Sequence, residues 1–265
     1  FVPMQILGKL QDSHLLFLGY DVHDWNLRVF LRRIWHDDRM RAKSWTDFYS
    51  EYETWNVFSR ISVIPSTKLV SAHTLPLRRP ATEYPAGKYP ASKWLDIDGT
   101  AWTPMFNYDP SKPESIAFLR ESVIYAVHAV KPNSKVLVIG TGGGRDLLAA
   151  RIAYGQPSVN GIELNPLMQH IVQERFGDYS GRPYTLPGIN VVIGEGRSML
   201  AGRPDKFDVI QLSLVDTFAA GAAGGFVFAE NYLYTTEAFR EYFRHLNPGG
   251  VLSMTGGHAD IHSIP

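Results

Sequence analysis

The sequence contains no cysteine, which removes disulfides, thiolate nucleophiles and cysteine-type zinc sites together. That fits a reducing compartment, and a cytoplasmic location is the expectation. Neither sign of charge is in excess: Lys plus Arg and Asp plus Glu are both 26. A nucleic-acid partner ordinarily needs a basic surplus, so none is expected. The densest basic stretch, Arg28 to Lys43, is interrupted by Asp37 and Asp38 and reads as a solvated helix face. Long apolar runs are missing as well. None approaches the ~20 residues that span a bilayer, Leu15 to Leu18 being only strand-like, and no signal peptide is visible. The nine histidines show no metal-ligand spacing. His258 and His262 stand four apart without a carboxylate-bearing helix signature, so no metal is expected. The first residue is Phe1, not Met, which reads as a fragment or a processed form.

What is present suits a globular chain: 265 residues, 45% hydrophobic and 20% charged, enough for a core domain with a smaller appendage. Three zones are expected. Residues 1–46 read as a strand, Leu15 to Gly19, and a helix capped by Asp24 with Leu27, Phe30, Leu31 and Ile34 at helical spacing. Residues 47–113 read as short strands and turns. Phe58 to Ile64 alternates, a stretch with Pro76, Pro80, Pro85 and Pro90 excludes helix and central strand, and Trp94 to Ile97 with Asp98-Gly99 suggests a hairpin.

From 114 to 265, strands and helices alternate. A helix near Ser115 closes at Lys131-Pro132-Asn133. Val136–Ile139 is an unbroken apolar run, as in a strand buried on both faces. A helix follows from Asp146 to Gly155, then a strand at Val159–Ile162. Asn165-Pro166 opens the next helix as cap and first residue. Further strands are read at Ile189–Ile193, Phe207–Leu212 and Val251–Met254. Thr235 or Thr236 caps the last helix, with Phe239, Tyr242, Phe243 and Leu246 as its apolar stripe and Pro248-Gly249-Gly250 as its stop. Such alternation makes a parallel sheet with helices on both faces.

The chemistry concentrates at strand ends. Val138-Ile139-Gly140-Thr141-Gly142-Gly143-Gly144-Arg145-Asp146 puts glycines where a buried strand turns into a helix, and there a ligand meets bare backbone. Glu163, ending the second strand, is placed to accept hydrogen bonds from ribose hydroxyls. A dinucleotide fingerprint wants a glycine where Arg145 stands, and Gly194-Glu195-Gly196 offers a carboxylate to an adenine amino group. Together these favour an adenosyl sulfonium cofactor over a dinucleotide. Asp216, just past the fourth strand, is the candidate to orient or deprotonate an amine. Ala219 to Gly225 reads as a lid, and Tyr232 and Tyr234 as the far wall of a pocket.

These residues resemble the spermidine synthase family of aminopropyltransferases, over about Trp55 to Thr255. Trp55-Asn56-Val57-Phe58-Ser59-Arg60 resembles the start of its small β domain, Asp96-Ile97-Asp98-Gly99 its hairpin, and Asn231-Tyr232-Leu233-Tyr234-Thr235 the segment before its last helix. The resemblance implies an α/β, Rossmann-like sheet of order 3-2-1-4-5 behind a small β domain. It also implies decarboxylated S-adenosylmethionine or S-adenosylmethionine as cofactor, and a small-molecule amine as substrate. A homodimer is a further expectation. Cofactor binding would fall to Gly140, Gly142, Gly143, Gly144, Glu163, Glu195 and Gly196. Asp216 would be catalytic, with Tyr234 and Trp102 toward the substrate. The chain departs from the family at Gly143 and Ala219, where the family has Asp, and at Trp102, where it has Gln. Losing two carboxylates weakens attraction for a dicationic polyamine. A methyltransferase on the same fold and a truncated, non-catalytic chain therefore stay open as alternatives. After the fifth strand, the helix and hairpin usual in this class are not expected. Leu16 to Tyr20 with Asp24 to Arg28 resembles a sirtuin-like strand and helix, from which no activity is carried over.

Overall fold

A computed structural model describes residues 50–65, 90–97, 101–213, 215 and 232–255. The first zone, the Asp98-Gly99 turn, Pro76, Pro80 and Pro85, Asp216 to Gly225, and His258 and His262 all lie outside these residues.

Two sheets organise the chain. Strands β1 (Tyr52–Trp55), β2 (Arg60–Pro65), β3 (Ser92–Ile97) and β4 (Ala101–Phe106) pair antiparallel in chain order. Strands β5 (Lys135–Ile139), β6 (Ser158–Glu163), β7 (Ile189–Ile193), β8 (Phe207–Ser213) and β9 (Leu246–Thr255) form a parallel sheet in the order β7-β6-β5-β8-β9. Numbered within that sheet, this is the expected 3-2-1-4-5. The order reverses beside β5, so the carboxyl ends of β5 and β8 flank the switch point where ligands of open α/β sheets sit.

The helices follow from local signals. α1 (Ala126–Val130) is reached through 3-10 turns over Pro113–Glu121 and Val123–Tyr125, not through the single helix expected near Ser115. α2 (Arg145–Leu148) runs on as a π turn over Ala149–Ala153, and α3 (Pro166–Gln169) as one over His170–Arg175. Asn165 caps α3 by accepting from the Leu167 N–H, with Pro166 at the first helical position, as read from the sequence. α4 is Gly177–Ser180, α5 Gly196–Ala201 and α6 Thr236–Arg244, the last capped by Thr235. The helical stripe extended to Leu246 is corrected. The helix ends at Arg244 and Leu246 already pairs with Phe207. Pro248-Gly249-Gly250 falls in a register shift of β9 opposite Phe207 and Val209, where a bulge accommodates a residue that cannot donate to the ladder.

Alternation along β5 divides the core. Val136 and Val138 face one side, with Leu147 and Ala150 of α2 and its π turn and Met168, Ile171 and Val172 of α3 and its π turn. Leu137 and Ile139 face the other, with Leu200 of α5 and Ala238 and Tyr242 of α6. The first side also holds Ile61, Val63, Leu95 and Met105, so the antiparallel sheet buries its apolar face in the same core. Each such side chain contributes about 1.5–3 kcal/mol on full burial. Among the described residues no helix is long and apolar enough to cross a membrane.

Candidate functional site

The β5–α2 turn is held from several sides. Gly143 shows why: a Cβ there would stand 2.1 Å from the backbone oxygen of Pro104 in β4, so only glycine admits that strand. Its N–H donates to Thr103 Oγ1 at 3.2 Å. Gly140 has φ +79°, and a Cβ on it would meet Val215 Cγ1 at 2.4 Å. Gly144 caps α2 beside Pro183, and Gly142 lies under Thr103. The glycines thus serve close approach by the protein's own β4, Pro183 and Val215. The sequence reading had assigned that approach to a ligand.

Glu163 ends β6 with its side chain almost wholly buried. Oε2 accepts from the Gly142 N–H at 2.8 Å and from Thr141 Oγ1 at 3.2 Å, and Oε1 accepts from the Asn165 N–H at 3.0 Å. Burial pushes this carboxyl above its ordinary range, and these donors only partly offset the rise. The Leu164 N–H donates to it as well, so the carboxylate braces the turn from Thr141 to Asn165.

Glu195 caps α5. Its Oε1 accepts from the Arg197 N–H at 2.9 Å and its Oε2 from the Ser198 N–H at 2.7 Å. Burial raises its pKa, but the donors from Ser198 and Arg197 together hold it below the usual carboxylate range. The Ser198 hydroxyl is a third donor to the same carboxylate. The Gly194 N–H donates to the Glu163 carbonyl and the Gly140 N–H to the Ile162 carbonyl, both at 2.8 Å, aligning the three strand ends along one edge. Gly196 lies against Ile139 and Leu233, which brings the Tyr232–Tyr234 turn to the start of α5. Tyr234 there is partly exposed.

One expectation is repositioned by the backbone. The pleat of β4 sends Trp102 to the face away from the glycine turn, where it meets Trp94 edge to face at 6.4 Å. Its neighbour Thr103 is the residue that touches the turn. Asp216 lies outside the described residues, although Val215 beside it packs on Gly140.

The sequence reading missed several residues. Asn165, beyond its capping role, accepts from Asn56 Nδ2 at 2.7 Å and donates to Ser59 Oγ at 2.8 Å, tying the β1–β2 turn to Glu163. The hydroxyl of Tyr184 donates to the Gly142 carbonyl. Tyr125 donates to Asp146 Oδ1 at 2.7 Å, with Arg145 alongside. Nothing in local spacing announces these long-range pairs. Thr103 stands two residues before the buried Met105 in β4 and so shares its face. Among the described residues no group of three or more His, Asp or Glu is arranged to hold a metal.

A parallel sheet of this order, with a glycine turn after its first strand and a buried acid ending its second, is a Rossmann-like fold. No family model matches the chain. In sequence it is similar to polyamine aminopropyltransferases. It is 26% identical over 123 residues to the polyamine aminopropyltransferase of Pectobacterium carotovorum subsp. carotovorum, covering 46% of this chain and 40% of the relative. To polyamine aminopropyltransferase 2 of Hyperthermus butylicus it is 27% identical over 118 residues, 44% of this chain and 36% of that one. The chain thus spans well under half the length of these curated relatives. Among solved structures it is similar to spermidine synthase from Thermotoga maritima, with a TM-score of 0.47, 17% identity, and coverage of 78% of this chain and 55% of the other.

Proposed function

We propose that the chain is a spermidine synthase-like transferase that holds an S-adenosylmethionine-type cofactor along the carboxyl edge of β5, β6 and β7 and alkylates a small amine. Aminopropyl transfer is the form of that reaction carried in the relatives' names. The observation that carries the reading is Glu163: a buried carboxylate that ends β6 and braces the glycine turn. In this reading Glu163 takes the ribose hydroxyls and Glu195 accepts from the adenine amino group. Tyr234 borders the acceptor. Asp216 orients the amine and takes the proton it sheds on alkylation. When bound, an adenosyl sulfonium supplies an electrophilic carbon whose bond to sulfur breaks, with the electron pair, as the new carbon–nitrogen bond forms.

Calorimetric titration with S-adenosylmethionine, its decarboxylated form and methylthioadenosine tests the reading. Binding of at least one, lost in Glu163→Gln, is the expected result. Absence of heat with all three overturns the nucleoside site and leaves a chain that keeps the fold alone.

A further inference from the structure

The glycine turn after β5 has the composition of a phosphate cradle but not its hydrogen bonds. Such turns hold phosphates through free, convergent backbone N–H groups. Here each glycine N–H is already accepted by the protein. Gly140 donates to the Ile162 carbonyl at 2.8 Å and Gly144 to the Thr141 carbonyl at 2.9 Å. Gly142 donates to Glu163 Oε2 at 2.8 Å and Gly143 to Thr103 Oγ1 at 3.2 Å. The Thr141 hydroxyl also goes to Glu163.

One peptide plane in the turn is fixed at both ends. A peptide between two glycines turns over at low cost, since neither residue has a Cβ to resist it. The N–H of the Gly142–Gly143 peptide is held by Thr103 of β4, and its carbonyl accepts from the Tyr184 hydroxyl. Both holders are themselves fixed. Thr103 pairs with Leu95 in the antiparallel sheet. The Tyr184 N–H donates to Gln173 Oε1 at 3.2 Å, Gln173 Nε2 donates to Thr185 Oγ1 at 3.0 Å, and Pro183 lies on Gly144. The side chains around the turn disfavour an anion as well. Glu163 stands against Gly142, and Asp146 is in the first turn of α2. Arg145, the cation that follows the turn, is largely buried and committed to Asp146 and Tyr125.

We propose that Thr103 and Tyr184 are specificity-determining residues: by holding both ends of the Gly142–Gly143 peptide they leave the turn without a glycine N–H for a phosphate. The site then selects adenosine ligands whose 5′ substituent carries no phosphate over those with a 5′-phosphate. The inference rests on the nucleoside site proposed above and names what that site rejects.

The test uses the full chain and two adenosines that differ at the 5′ position, methylthioadenosine and adenosine 5′-monophosphate, with heats of binding measured for both. Methylthioadenosine should bind at least about tenfold more tightly. Thr103→Ala uncovers the Gly143 N–H and should shrink that ratio about three- to tenfold, whereas Thr103→Ser keeps the acceptor and should keep the ratio. Tyr184→Phe frees the carbonyl end of the same peptide and should shrink the ratio too. Because Thr103→Ala could unsettle β4, hydrogen exchange of the Gly143 amide is followed in the unaltered chain, where it should be slow with and without the monophosphate. Equal or tighter binding of the monophosphate overturns the inference while the nucleoside site stands. So does a ratio that neither Thr103→Ala nor Tyr184→Phe changes, or a Gly143 amide that exchanges as fast as an unbonded one. If methylthioadenosine itself does not bind, the nucleoside site and the inference fall together.

Discussion

Replacing Glu163 by Gln probes the site through stability alone. The carboxylate accepts from Gly142, Thr141 and Asn165. An amide has one oxygen, and the least costly rotamer keeps it on Gly142 and Thr141. Its NH2 then faces the Asn165 N–H, a buried donor against a donor. Such an unsatisfied group costs about 1–3 kcal/mol, and the two surviving bonds lose their charge assistance. Opposing this, the variant no longer buries a charge, and the raised pKa of Glu163 shows that this burial weighs heavily. The expected net loss at neutral pH is about 1–2 kcal/mol, or a fall in Tm of about 2–8 °C for a chain of this size. The pH dependence has a definite sign. A carboxyl whose folded pKa lies above its unfolded one takes up a proton more readily in the native state. That contribution is fully present below the unfolded value and is lost as pH rises through the raised folded value. The stability gap between wild type and variant should therefore widen as pH falls through the raised Glu163 range, then level off. Thermal melts across this window and hydrogen exchange of the Gly142 and Asn165 amides are the assays. Unchanged exchange at both amides, or a gap that narrows toward acid, would refute the bracing role.

Other outcomes follow from the same geometry. Gly143→Ala should cost about 2–3 kcal/mol or more by denaturant unfolding, because the new Cβ meets the rigid Pro104 carbonyl. Gly155→Ala, with φ +70° but nothing within 4 Å, should cost only about 1–2 kcal/mol. Tyr125→Phe strips Asp146 of its shortest hydrogen bond and should cost about 2–3 kcal/mol in urea unfolding. Asn165→Ala removes a cap and two bridges to the β1–β2 turn. It should cost about 2–3 kcal/mol and raise amide exchange at Ser59, whereas a loss confined to α3 would contradict the bridging role.

The parallel sheet was legible because its strands are buried on both faces and show as apolar runs, Val136–Ile139 above all. Caps were legible too, since Asn165-Pro166 and Thr235 state their roles within a few residues. The 3-10 path from Pro113 to Tyr125 was not. Its buried Ile116, Phe118 and Leu119 mimic helical spacing, and tertiary packing decided the backbone. At the candidate site, the strand-end acids could be placed by register alone. What they bond to could not, because Glu163 meets Gly142 across 21 residues and Gly143 meets Thr103 across 40. Trp102 was picked by motif position, and the two-residue pleat of β4 turned it to the other face.

The shared core of the two sheets has a consequence for how such a chain can be taken apart. Ile61, Val63, Leu95 and Met105 lie among side chains of the parallel layer, and Pro104 sets the floor height under Gly143. The smaller sheet is thus no detachable cassette. Grafting a different hairpin in its place would redraw the glycine turn's footing, and excising it would leave an oily strip that drives copies to clump. Heat should melt both layers in a single step.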